Sequence, residues 1–134
     1  MKQISFFMMV ALIAISTAAF SQSKNKSVEV LYFKAKQCAC KTRVCDALEG
    51  QIKTLIEKDF PGENIEFKRV WLNDKENATL IEKYNAKAQT VVMVNTKRNK
   101  ELATDLTETI KNLAVKGKTE TAETELKTLI AENL

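Results

Sequence analysis

Histidine is missing altogether from this chain of 134 residues. Its absence excludes Ser/His/Asp and Cys/His triads, together with histidine-ligated zinc and haem sites. Polar chemistry must come from cysteine, carboxylate, lysine or hydroxyl groups. A large surplus of one charge sign is missing too: 21 Lys+Arg against 17 Asp+Glu leave +4. That is too little for a nucleic-acid footprint, and no nucleic acid is expected as a partner. There is no internal repeat and no low-complexity tract, and no apolar run reaches the roughly 20 residues of a membrane-spanning helix. Cysteine is scarce, yet its three copies, Cys38, Cys40 and Cys45, fall within eight residues. The length suits one domain that can bury a core without metals or disulfides as staples. The cysteine cluster is where function should be sought.

The first 21 residues read as a secretory signal peptide. Lys2 supplies a positive charge, Ile4 to Ile15 form an apolar run of twelve, and Ala19 and Ser21 stand at −3 and −1 of a cut before Gln22. No cysteine sits at the cut, so a lipoprotein is not expected; an uncleaved anchor is the alternative. Cleavage leaves 134 − 21 = 113 residues with a charge of 20 − 17 = +3. No membrane span would then remain, and the protein is expected to be exported, periplasmic or secreted. Such compartments are oxidising, which gives a thiol cluster more meaning.

Residues 22–27 read as a flexible polar leader, and 28–134 as one domain. Val28 to Lys34 is β-branched and aromatic, a buried strand. The cysteines follow, then a helical stripe of Val44, Leu48, Ile52, Leu55, Ile56 and Phe60 that Pro61-Gly62 stops. Ile65 to Leu72 reads as a second strand. Asn73 to Glu76 resembles a capping box for a short helix carrying Leu80, Ile81 and Tyr84. Gln89 to Val94 reads as a third strand, with Met93 in the core. A polar turn over Lys97 to Lys100 leads to a returning strand, Glu101 to Thr104. Asp105 and Glu108 open a helix with Leu106, Ile110, Leu113 and Ala114 on one face. Gly117 breaks it, and Ala122, Leu126, Leu129 and Ile130 stripe the last helix. The expected class is α/β, a mixed central sheet of about four strands flanked by helices.

This order resembles the thioredoxin-like fold. The cysteines sit between the first strand and the first long helix, where that family places its redox pair. Val70 to Tyr84 (VWLNDKENATLIEKY) is similar to the family's strand, acidic segment and L-x-x-K-Y helix, and Ala88-Gln89-Thr90 stands where the family has x-Pro-Thr. Two features depart from the pattern. The pair is Cys38-Ala39-Cys40 rather than C-x-x-C, and Gln89 replaces the usual cis-proline. The resemblance implies that Gln89 and Thr90 belong to the substrate-binding edge. The missing proline, which in the family is thought to keep metals from the dithiol, leaves metal binding more open.

Geometry limits how the thiols combine. On a regular helix Cys40 and Cys45 point about 140° apart, and Cys38 and Cys45 lie about 10 Å apart along the axis, beyond the roughly 7 Å reach of a disulfide. Cys45 therefore pairs only if Cys38 or Cys40 folds back over the first turn. Cys38 with Cys40 closes a short, strained and readily reduced ring. Lys34, Lys36, Lys41 and Arg43 around the cluster, with a helix N-terminus, favour a reactive thiolate. Cys38 is then the expected attacking thiol and Cys40 the resolving partner, with Cys45 a third participant or a packed core thiol.

The expected function is thiol–disulfide exchange through Cys38 and Cys40 as an oxidoreductase. It needs no organic cofactor, a protein or small-molecule thiol or disulfide as partner, and a separate redox partner to recycle the pair. The alternative is a carrier of a soft ion, Cu(I) or As(III), on Cys38, Cys40 and Cys45. Zinc ranks low, because structural sites want four ligands.

Overall fold

A computed structural model describes residues 27–36 and 39–134, with 39–42 described as backbone. The signal segment, residues 22–26 of the leader, and Cys38 lie outside the described residues.

Strand β1 (Ser27–Lys34) is followed by helix α1 (Ala39–Asp59), strand β2 (Ile65–Trp71), and a single 3-10 turn (Lys75–Asn77) that runs into helix α2 (Ala78–Lys83). Strands β3 (Val91–Lys97) and β4 (Lys100–Asp105) form a hairpin, and helices α3 (Thr107–Leu113) and α4 (Thr119–Asn133) close the chain. The four strands make one mixed sheet in the order β2-β1-β3-β4. β1 runs parallel to β2 and antiparallel to β3, and β3 is antiparallel to β4. The α/β class and four-stranded mixed sheet match the expectation from sequence. Ser27, read as leader, opens β1 opposite Thr96.

Alternation along the strands sorts side chains onto two faces. Val28, Val30 and Tyr32 of β1, with Val91 and Met93 of β3, meet Leu48, Ile52, Leu55 and Ile56 of α1 and the buried stripes of α3 and α4. The opposite face carries Leu31, Phe33, Val70, Val92 and Val94 under α2 and Ala86. α2 itself buries no residue.

Local expectations fail at four points. Val44 is 55% exposed and Cys45 takes the buried place. One residue turns a helix by roughly 100°, and Cys45, not Val44, lies in line with Leu48, Ile52 and Ile56. Ala114 is exposed because α3 ends at Leu113. The capping box does not form: Asp74 makes no side-chain cap bond, Asn73 Oδ1 instead accepts from Lys36 N at 3.3 Å, and Asn77 Nδ2 donates to Trp71 O at 2.9 Å. These bonds spend the polar side chains on holding the end of β2. Gln89 and Thr90 precede β3, which begins at Val91. The hairpin tip is the two-residue turn Arg98-Asn99, both at positive φ (50° and 64°), the geometry that matches strand twist.

Candidate functional site

β1 ends at Lys34 and α1 begins at Ala39, so the cysteine segment links the end of a central strand to a helix N-terminus. The first turn of α1 holds Cys40 and contains no acidic residue. Backbone N–H groups of such a turn have no intrahelical acceptor and give the end a partial positive charge.

The loop before β3 is pinned to the same strand end. Gln89 N donates to Phe33 O at 2.8 Å and Phe33 N donates to Thr90 O at 2.9 Å. Thr90 Oγ1 accepts from Lys87 N at 2.9 Å, which closes the loop on itself. Gln89 stands at φ 69°, and no described peptide bond is cis. From this position its Nε2 donates to Cys45 Sγ at 3.3 Å. Cys45 is 3% exposed, and its carbonyl accepts from the Tyr32 hydroxyl at 3.4 Å. Burial comes first among the causes that push the Tyr32 phenol far above its ordinary range, with the neighbouring Cys45, Glu49 and Asp46 adding to it. The structure thus brings Cys45, Gln89 and the end of β1 together, with Thr90 holding the loop behind them. Cys38 is outside the described residues and Cys40 is placed by its backbone alone.

A charged cluster that the sequence reading missed lies beside this junction. Lys34, read as a cation available to the thiols, is 4% exposed and pairs with Asp46 and, at 3.5 Å, with Glu49. Glu49 is buried as well and receives a fork from Arg69 of β2, Nη2 to Oε1 at 2.6 Å and Nε to Oε2 at 2.9 Å. Lys53, one turn on, reaches Glu49 at 3.0 Å. Burial alone would raise the Glu49 carboxyl, but the hydrogen bonds from Arg69 and Lys53 outweigh it and hold the group below the usual carboxylate range. Trp71 lies against both cations, 5.4 Å from Lys34 Nζ and 5.6 Å from Arg69 Cζ. The sequence signal was available: Lys34 ends an apolar strand, and Glu49 falls four residues after Cys45 inside the apolar stripe. Among the described residues no group of three or more Cys, Asp and Glu side chains is arranged to hold a metal ion. No described helix is long and apolar enough to cross a membrane.

No protein-family model matches the chain, and no curated protein matches it. A solved structure described as that of a malarial protein is similar at a TM-score of 0.46 and 22% identity, covering 81% of this chain and 99% of that one. Likeness at that level defines neither a shared fold nor a shared activity.

Proposed function

We propose that this is an exported, thioredoxin-like protein whose Cys38 and Cys40 carry out thiol–disulfide exchange. The observation that carries the reading is the placement of the cysteine segment. It joins a central strand to an acid-free helix N-terminus, beside a loop bonded to the same strand end. A parallel β–α–β unit followed by a hairpin also supports the family resemblance. In the proposed reaction the Cys38 thiolate attacks one sulfur of a partner disulfide and the other sulfur leaves as a thiolate. Cys40 then attacks the Cys38 sulfur, releasing the partner's second thiol and leaving a Cys38–Cys40 disulfide. Two electrons pass to the partner, and a separate dithiol partner restores the pair. Gln89 and Thr90 form the edge against which the partner chain lies.

Cys45 fits a packing role better than that of a free third ligand. It is buried, and the Gln89 amide already occupies its sulfur. This favours exchange over carriage of a soft ion on three thiolates. The test is exchange with a small aromatic disulfide, followed by peptide mapping. The expected result is a Cys38–Cys40 bridge with Cys45 free, and loss of exchange in the Cys38→Ser and Cys40→Ser variants. Unchanged activity in both variants overturns the reading. A stoichiometric Cu(I) or As(III) complex at low micromolar ion, without exchange, establishes the carrier instead.

A further inference from the structure

We infer that β4 is a self-association edge, on which two copies of this chain pair their β4 strands antiparallel about a two-fold axis at Leu102. β4 is an outermost strand of the sheet, and no described strand pairs with its outer side. Leu106 N donates to Val91 O at 2.9 Å. Alternation along an antiparallel ladder then makes Met93/Thr104, Asn95/Leu102 and Lys97/Lys100 the bonded pairs. The N–H and C=O groups of Glu101, Ala103 and Asp105 therefore point away from β3, with no backbone partner among the described residues. All of β4 except Thr104 is exposed, and Leu102, at 60%, is the most exposed large apolar residue among those described. The opposite edge is blunted, because Glu66, Lys68 and Arg69 fill the middle of β2 with paired charges. Leu102-Ala103-Thr104 gives β4 an uncharged centre instead.

Charge and shape select the register. Pairing Ala103 with itself sets Glu101 against Asp105, and pairing Glu101 with itself sets acid against acid, both destabilising. Centring on Thr104 runs the ladder past the end of β4 at Asp105. Centring on Leu102 avoids all three: Glu101 faces Ala103, Lys100 faces Thr104, and the two Leu102 side chains meet at the axis. Glu101 is already neutralised within its own chain by Lys83 at 2.6 Å. The two ends of the hairpin strand are complementary as well. Among the described residues Lys97, Arg98 and Lys100 pair with no carboxylate, and Asp105 pairs with no cation. The antiparallel arrangement sets Asn99 of one copy opposite Asp105 of the other, so the basic tip of each flanks the acidic end of its mate. β4 runs parallel to β1, because both are antiparallel to β3. The β1 ends that lead to the cysteines therefore point in opposite directions, and the association is independent of thiol chemistry.

The test is sedimentation velocity of residues 22–134 under reducing conditions, from micromolar to millimolar concentration. A monomer–dimer equilibrium is expected. Ala103→Pro removes an outward N–H from each copy and costs the β3 ladder no bond, so it should weaken the dimer about tenfold or more. Leu102→Lys, which opposes two ammonium groups at the axis, should weaken it as well. Cross-linking reads the register, in a chain carrying Cys38→Ser and Cys40→Ser. Directly opposed, non-bonded residues have Cα atoms about 4.5 Å apart, within disulfide reach. Leu102→Cys is therefore expected to give a disulfide-linked dimer on mild oxidation. Lys100→Cys is not, because the two copies of position 100 lie four residues apart along the strands, about 14 Å. If Ala103→Pro unfolds, seen by circular dichroism, Leu102→Lys and the cross-links decide. A chain that stays monomeric at millimolar concentration, with or without an extended peptide bound to it, overturns the inference. So does a dimer that Leu102→Lys leaves intact, or equal cross-linking at positions 100 and 102.

Discussion

Replacing Glu49 with Gln tests the energetics of the charged junction most directly. The carboxylate is buried and receives Arg69 in a fork, Lys53 and Lys34. Gln keeps the shape and removes the charge, so Lys34, itself buried, keeps only exposed Asp46 as a counter-ion. Breaking a buried pair from one side costs about 3–5 kcal/mol. Arg69 and Lys53 are more than a third exposed and can turn to water, which places the expected loss near 3 kcal/mol. For a domain of this size that is a fall in Tm of roughly 15 °C. The matched control is Glu29→Gln, which breaks the partly exposed Lys68–Glu29 pair and is expected to cost under about 1 kcal/mol. The Glu49 carboxyl is held below its ordinary value of 4.5 in the folded state. Its contribution is therefore fully present above that value and is lost as pH falls through the lower folded value. Urea melts of both proteins at pH 7 and at steps below pH 4.5 should show a wide gap that narrows in acid. A loss below about 1 kcal/mol at pH 7, or a gap that does not narrow, refutes the account.

Other perturbations have equally definite outcomes. Gly50 lies inside α1 at ordinary helical φ, and a Cβ there meets nothing within 4 Å; Gly50→Ala should raise stability by about 1 kcal/mol, read from a thermal melt. Asn99 holds φ 64° in the hairpin turn, so Asn99→Gly should add about 0.5 kcal/mol, and a loss would mean that the turn differs. Ile110 is fully buried between the sheet and α4, and Ile110→Ala should cost about 2–5 kcal/mol in urea unfolding. Gln89→Pro should destabilise the fold rather than restore a family-like loop. Proline cannot reach φ 69° and has no N–H for Phe33 O, so circular dichroism melts should show a loss of about 3 kcal/mol or more.

Much of the fold was legible because burial writes itself into periodicity. The alternating Val28, Val30 and Tyr32, and the stripe Leu48, Ile52, Leu55 and Ile56, fall on the faces where the structure buries them. Residues at the edge of a stripe were less so: Val44 and Cys45 differ by one position, and only the direction of the packed face separates them. Polar side chains were the least legible. Asn73 and Asp74 carry the composition of a cap, yet Asn73 bonds to Lys36, a partner 37 residues away. Glu49 and Arg69 stand 20 residues apart in the chain, and only the crossover from α1 to β2 brings them together. Of the candidate site, the cysteines and the loop at Gln89 stood out from the sequence, whereas the amide–sulfur contact needed the third dimension.

The unequal cover of the two sheet faces bears on how the molecule opens. Under native conditions, segments with few buried contacts open and reclose with little loss of the rest. The stretch from the end of β2 to the start of β3 contains a helix with no buried residue, and Ala86 is its buried anchor. Amide exchange should therefore be fastest over α2 and slowest at the centres of β1 and β3. The Gln89–Thr90 loop belongs to this low-stability unit on one side and to the β1 ladder on the other. Its amides are therefore expected to exchange at a rate between those of α2 and of the β1 centre.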